Sequence, residues 1–511
     1  MVNSQILNFY ENANVFITGG TGFLGKILIE KLLRSTSVST LYLLVRPKKG
    51  KDVETRIKNI FEDVIFQRLH EECPKFIHRI VGVSGDVSLP DLGISKTDRQ
   101  MLTEKIDIIF HVAATMRFDE NLKHAYCVNV KGAQEILKLG KDMKNLKSSM
   151  HVSTAFSNCH LEEIEERFYD QPIHYEEIGH VLEKMTESEA DKHTKSIIGP
   201  WPNTYTYTKA LAETMIRDSS GNLPIGIFRP SIVISTHKEP IEGWIDNLYG
   251  PTGVCAGVAL GLLRVLLCDP HKKADLVPVD MCVAALIAAA WDTAQKNKTR
   301  SSPEDIPIYN YVSMDNNMTW EEYCKINTMY GFKYPLSKCV WVHSLNFTRN
   351  VYMYMFLKLI YHLLPALLLD GVSTICFKNL GMLNMYRKIH KFSNVLSFFS
   401  TREWKFSNDN VIKLWNKLDD TERKLFFFDM KSLDLWAYYK TYFYGIRRYI
   451  MKDSVDSLEA AKRKQRIFAI LHKILLVSLY FTASVLVWNL FQRFTVGEQK
   501  PCVDISNSIA L

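Results

Sequence analysis

Residues 15–25 read Val15-Phe16-Ile17-Thr18-Gly19-Gly20-Thr21-Gly22-Phe23-Leu24-Gly25. An apolar run, expected as a buried strand, ends in glycines at 19, 22 and 25. A helical, amphipathic stretch then continues to Leu33. Gly19 permits a tight strand-to-helix turn, and Gly22 lets the backbone approach a pyrophosphate with no Cβ in the way. Gly25 lets the helix pack closely on the sheet. The helix start adds free N–H groups and a positive dipole end, both suited to phosphate. Residues 40–45 form the next apolar run. This strand–turn–helix–strand unit predicts an α/β fold, a Rossmann-type doubly wound parallel sheet. Thr18, Gly19, Gly20, Thr21, Gly22, Phe23, Leu24 and Gly25 are its expected dinucleotide-binding turn.

The residue that ends the second strand selects the cofactor. An acid there would bond the ribose hydroxyls of NAD, whereas an Arg accommodates a 2′-phosphate. This chain has Arg46, followed by Lys48, Lys49 and Lys51, with no acid before Asp52. A solvated basic loop is the alternative; the position favours NADPH. Further on, Asp86 and Val87 follow the apolar residues 80–83, where a carboxylate meets the adenine amino group. Ala113 and Ala114 end the run 106–112, leaving room for a cofactor across the strand ends.

Tyr205 and Lys209 stand four apart in Tyr205-Thr206-Tyr207-Thr208-Lys209, on one helix face. Hydride delivered to a carbonyl puts negative charge on its oxygen, so a proton donor must wait there. Tyr205 is the expected acid, with its pKa lowered by the Lys209 cation, which is also placed to bond the nicotinamide ribose. Thr154, with Ser153 beside it at the end of an apolar strand, is expected to hold the substrate oxygen. Tyr207 has Leu211 four residues on and is set aside. Asn129 is expected either to bend its helix and anchor a water serving Lys209, or to be an ordinary helical polar residue. His111 reads as a core histidine, and Pro230, closing the strand 225–228, as a backbone wall of the nicotinamide pocket.

In this order the blocks resemble the extended short-chain dehydrogenase/reductases, and within them the eukaryotic, insect-type fatty acyl-CoA reductases. The resemblance rests on 18–25, 43–47, 85–87, 111–119, 129–132, 153–156, 205–209, 228–231, 243–253 and 277–280. The block 243–253 is its most specific part, and the match spans about residues 10 to 450. It implies two hydride transfers from NADPH to a long-chain acyl-CoA, with loss of CoA thiolate between them and a fatty alcohol as product. It also implies Tyr205 as proton donor, Lys209 as its partner, and Thr154 with Ser153 at the carbonyl oxygen. Two positions depart from the pattern: Ala133 stands where Thr is commoner, and Phe156 where Tyr is frequent.

At 511 residues the chain is long enough for two folded domains. The expected division is a nucleotide-binding domain with a substrate-side lobe over 1–300 and a helical C-terminal domain over 301–455. A basic juxtamembrane segment (456–473), a transmembrane helix (474–491) and a short lumenal tail (492–511) follow. Residues 161–191, with eleven acids, read as a helical, solvated excursion near the substrate mouth, or as a loop without a role. The net charge of +8 comes with no basic stripe interleaved with aromatics, so nucleic acid is not an expected partner. Ten cysteines without a Cys-x-x-Cys pair indicate neither a metal site nor a disulfide framework.

Residues 474–491 carry no charge and meet the length of a membrane-spanning helix. Lys462, Arg463, Lys464, Arg466 and Lys473 precede them. The positive-inside rule then places the catalytic body in the cytosol and the membrane lipid bilayer among its partners. The endoplasmic reticulum is the expected address, with the peroxisome left open. Residues 351–369 are also apolar and read as a second membrane contact, the entrance for an acyl chain, or a core helix. A homodimer through helices beside the Tyr motif fits the resemblance. Rival readings are a sterol or sugar-nucleotide dehydrogenase/epimerase, which would favour an acid at position 46, and a non-catalytic Rossmann scaffold, which would not keep both Tyr205 and Lys209.

Overall fold

The computed structural model describes residues 4–47, 50, 52–313, 316, 318–375 and 380–497. One sheet holds seven strands: β1 Asn14–Thr18, β2 Thr40–Val45, β3 Ile80–Ser84, β4 Ile108–His111, β5 Ser148–Val152, β6 Ile225–Pro230 and β7 Ile308–Tyr311. Their order is β7-β6-β5-β4-β1-β2-β3, and every neighbouring pair is parallel. Strands β1, β4, β5 and β6 are buried along nearly their whole length. Their apolar runs therefore lack alternation, because helices cover both faces. The chain order reverses between β1 and β4, and such a sheet binds ligands at the carboxyl ends flanking that switch. The expected doubly wound sheet is present.

Helices α1 (Phe23–Ser35), α2 (Thr204–Ser219) and α3 (Val279–Asn297) position the site. Helix α3 packs on α1, β5 and β6. Its Ala284, Ala285, Ala288, Ala289 and Ala290 are all buried, and such small side chains let the helix backbone lie close to the sheet. Helix α2 is buried from Thr206 to Ile216. Its outer side is covered by helices Tyr175–Lys184 and Glu187–Ile198, through Tyr175, Ile178, Leu182 and Ala190. A homodimer built on α2 would thus meet surface that the chain already covers.

Those covering helices come largely from the acid-rich stretch 161–191. Contrary to expectation, no residue of this stretch lines the substrate mouth. It is not an idle loop either: Glu163–Ile164 pairs in parallel with Lys405–Phe406, and the stretch shields the apolar back of α2. The boundary expected at residue 300 also needs correction, since β7 at 308–311 hydrogen-bonds β6 inside the main sheet. Asn346–Thr348 pairs with Val265–Leu267, and Met318–Thr319 with Lys273–Ala274. The C-terminal third is thus woven into the unit built on the main sheet.

Two apolar elements leave this body. Helix α4 (Val351–Lys358) continues through a π-helical turn, Leu359–Leu363, into α5 (Leu364–Ile375), and α6 (Met382–Ser400) follows. The core-helix reading of 351–369 fails, because Tyr352, Phe356, Leu368 and Ile375 are 58–83% exposed. Only one side is covered, where Tyr354 and His362 are buried and His362 meets Tyr386 and His390 of α6. Helix α7 (Leu458–Gly497) is a single helix running through the basic segment and the charge-free run. Lys464 and Gln465 bond the carbonyls of Ser337 and Gly331, and Phe468 packs on Trp341, fastening its base to the body. Both Val351–Ile375 and Val455–Phe494 are long and apolar enough to cross a membrane. Most of the expected lumenal tail, 498–511, lies outside the described residues.

Candidate active site

The glycine turn sits at the carboxyl end of β1. Gly19 has φ +75°, and a Cβ on it would fall 2.6 Å from the Ala113 nitrogen; the β1 and β4 exits touch there. A Cβ on Gly25 would collide with the Gly19 carbonyl oxygen, so α1 starts flush on the turn. Gly22 caps α1 and supplies no side chain to its first N–H groups, which leaves them free for an anion. Gly19, Thr21, Gly22, Phe23, Leu24 and Gly25 all line a large cavity. Thr18 and Gly20 do not. The Thr18 hydroxyl accepts from Ala113 N and pairs at 2.7 Å with His111 Nδ1, while Gly20 faces Ile29 and Leu43. His111 is the expected core histidine, buried beside His151, with burial and the Lys209 charge lowering its pKa to about 3.

Arg46 and Asp86 line the cavity near the end of β2, their charged atoms 3.6 Å apart. Arg56, which the sequence reading missed, also lines it and donates to the Arg46 carbonyl. Lys48, Lys49 and Lys51 lie outside the described residues. Val87, Ala113, Ala114 and Pro230 line the same cavity.

At its floor Tyr205 and Thr154 line the cavity together. Thr154 is held in turn by Phe156 N at 3.2 Å. Burial pushes the Tyr205 phenol up to about 12, against the pull of the Thr154 hydroxyl. The expected lowering by Lys209 is therefore corrected: the Lys209 ammonium donates at 2.7 Å to the Val152 carbonyl. Burial brings Lys209 down to about 8, opposed by Glu213. At neutral pH the phenol holds its proton, as a donor must.

Two expected roles change. Ser153 lines the cavity, but its hydroxyl donates to Glu213, which is paired at 2.6 Å with the fully buried Arg229. Ser153 is thus tied away from a substrate oxygen, and Thr154 stands alone. Asn129 sits in a π-helical turn, Cys127–Lys131, and does not reach the cavity. Its Oδ1 accepts from Thr115 N at 3.0 Å, and its Nδ2 donates to Thr208 Oγ1 at 2.9 Å. It straps the β4 exit loop to the helix of Tyr205, with both amide N–H groups used on Thr208 and the Thr115 carbonyl.

The cavity, about 1030 Å³, exceeds the usual single small-molecule site. One arm follows the glycine turn. The other runs between α6 and the wall Val254, Leu266, Trp320 and Phe347. Phe118 joins them, stacking on Tyr205 with ring centres 5.9 Å apart and meeting Phe399 of α6 at 5.5 Å. Phe156, a departure from the pattern, packs against Phe399, Trp404 and Phe406. The apolar arm was illegible in the sequence, since its residues come from four separate stretches. In the block 243–253, Trp244 stacks on Phe23 and Asp246 pairs with Lys26 at 3.0 Å, bracing α1, while Asn247, Tyr249, Gly250 and Pro251 line the cavity.

A family model described as male sterility protein matches residues 17–286, and a second of the same description matches 361–453. The chain is 46% identical over 493 residues to fatty acyl-CoA reductase wat of Drosophila melanogaster, covering 96% of this chain and 94% of that one. It is 36% identical over 492 residues to fatty acyl-CoA reductase 1 of Gallus gallus, covering 95% and 93%. Among solved structures it resembles the terminal R domain of the myxalamid biosynthetic pathway, with TM-score 0.55 at 21% identity over 85% of this chain and 90% of that one. The reductase domain of a non-ribosomal peptide synthetase from Mycobacterium tuberculosis gives TM-score 0.55 at 16% identity, covering 88% and 97%. Those two likenesses concern the fold.

Proposed function

The chain belongs to the fatty acyl-CoA reductase family, and from that premise we propose how its own residues reduce a long-chain acyl-CoA to a fatty alcohol with NADPH. The carrying observation is that Tyr205 and Thr154 line one cavity together, where its glycine-turn arm meets the apolar arm and Phe118 stacks on Tyr205. The residues present suit a phosphorylated dinucleotide: a free helix start takes the pyrophosphate, and Arg46 with Arg56 faces the 2′-phosphate position. NADPH supplies the hydride, twice per acyl-CoA. Thr154 and Tyr205 hold the thioester carbonyl oxygen and stabilise its negative charge in the tetrahedral adduct. Collapse of that adduct breaks the C–S bond and releases CoA thiolate. The aldehyde oxygen then occupies the same pair, and Tyr205 gives it the proton that completes the alcohol. Lys209 bonds the ribose and keeps positive charge near the phenolate left behind. Phe118 and the apolar arm exclude water from the reacting carbon.

The membrane suits a lipid substrate and product. The charge-free part of α7, behind its basic flank, anchors the catalytic body on the cytosolic face of the endoplasmic reticulum. Fractionation with protease protection tests that address, and a peroxisomal distribution would replace it. The chemistry is tested by NADPH oxidation on a panel of acyl-CoAs, with lipid products identified by mass spectrometry. Fatty alcohol is expected from the wild type, with Tyr205→Phe about 10²–10⁴-fold slower. An undiminished Tyr205→Phe would remove the phenol from the mechanism.

A further inference from the structure

Helix α6 presents one stripe to the cavity, Lys388, Lys391, Phe392, Val395, Leu396 and Phe399, and the stripe changes character along its length. Its C-terminal end is apolar and reaches the aromatic contact with Phe118 above Tyr205. Its N-terminal end is cationic. Lys391 lies eight residues before Phe399, about 12 Å along the axis at 1.5 Å per residue, and Lys388 lies nearly another turn beyond. Arg117, one residue before Phe118, also lines the cavity. Lys391 meets Asp119 at 2.6 Å and Arg117 meets it at 3.6 Å. Glu120, which also lines the cavity, accepts from the Thr115 hydroxyl at 3.1 Å, so three cations stand against two carboxylates. Lys388 has no carboxylate partner among the described residues.

These cations come from α6 and the loop after β4, whereas Arg46 meets Asp86 and Arg56 bonds the Arg46 carbonyl at the end of β2. The phosphates of a nicotinamide dinucleotide are accounted for at the glycine turn and at the β2 end, so the α6 group has no role toward them. Resting on the acyl-CoA reading above, we propose that Lys388, Lys391 and Arg117 form the rim that recognises the phosphates of the CoA moiety. With the thioester carbonyl on Tyr205 and Thr154, an extended pantetheine arm has the reach to run along α6 to this rim. The acyl chain meanwhile occupies the apolar arm by Leu266, Trp320 and Phe347. The rim thereby distinguishes the two halves of the reaction: the acyl-CoA is held at both ends, whereas the aldehyde, lacking CoA, is held only at the carbonyl and the tail.

The test compares palmitoyl-CoA with hexadecanal in the full-length, detergent-solubilised enzyme, for wild type and the Lys388→Ala/Lys391→Ala double variant. The proposal expects kcat/KM for palmitoyl-CoA to fall about tenfold or more, mostly through KM, as loss of two charge-assisted contacts implies. Turnover of hexadecanal and KM for NADPH should stay within about twofold, and Lys388→Arg/Lys391→Arg should restore the CoA preference. High salt should weaken palmitoyl-CoA use in the wild type more than in the double variant. Equal losses on both substrates, or no loss on either, would overturn the rim. A wild type that reduces hexadecanal but no acyl-CoA would sink the acyl-CoA reading itself, and the rim with it.

Discussion

At the scale of single residues, the chemistry rests on buried groups whose protonation the surroundings set. Lys209 is cationic below its pKa and neutral above it, and burial has brought that pKa down to about 8. Tyr205, pushed up to about 12, does not titrate in this range. Affinity for NADPH should therefore hold below about pH 8 and weaken as the pH rises through it. Titration of KM for NADPH from about pH 6 to about pH 9.5, across the Lys209 transition, would give a flat profile if Lys209 did not touch the ribose. A second residue-scale expectation concerns Glu213. Its carboxylate neutralises Arg229, which is fully buried and also bonds the carbonyls of Glu165 and Arg167. Glu213→Ala leaves an uncompensated interior guanidinium, so a loss of about 3–5 kcal/mol is expected, read as a lower midpoint in denaturant unfolding. An unchanged midpoint would mean that water or another group compensates Arg229.

Among the elements, the glycine turn and the α4–α5 pair show opposite kinds of constraint. The turn is closed by contact: α1 begins so near the Gly19 carbonyl that position 25 has no room for a methyl group. Gly25→Ala should push α1 off the turn and raise KM for NADPH at least about tenfold, with the Tyr205–Thr154 pair left in place. Equilibrium binding of NADPH, followed by fluorescence, checks it; unaltered binding would show that α1 can shift without cost. The α4–α5 pair is open instead, burying little beyond Tyr354 and the His362 side of its turn. A large exposed apolar surface marks an interaction site, and here it lies on the outer side of α6, whose inner side lines the cavity. This arrangement was not legible in residues 351–369. A core helix and a surface helix share the same composition, and only the position of α6 tells them apart.

For the whole molecule, the two apolar elements set how the body meets a bilayer. Deleting α7 from residue 458 onward removes the charge-free span but keeps Val351–Ile375, itself long and apolar enough to cross a membrane. The truncated protein should stay partly with membranes through a high-salt wash. Adding Leu367→Asp and Leu368→Asp should release it, each charge costing roughly 2.5–3.5 kcal/mol if placed at bilayer depth. Flotation of lysates reads both results, and full release by truncation alone would confine membrane contact to α7.

The residues alone determined the parallel sheet, the glycine turn at the end of β1, and the gathering of Tyr205, Lys209 and Thr154 at one cavity. These are short-range patterns: glycines at fixed steps in a turn, a four-residue helical spacing, an apolar run ending in hydroxyls. Each is dictated by backbone geometry within about a dozen residues. The tertiary structure decided the rest. It turned Ser153 away to Glu213, spent Asn129 on Thr115 and Thr208, moved the domain boundary past β7, and brought Lys388, Lys391 and Arg117 to one rim. Such outcomes depend on which distant segments come to share a wall, and on which buried polar atoms find partners there. No local spacing carries that information, because it is settled only when the whole chain closes around the cavity.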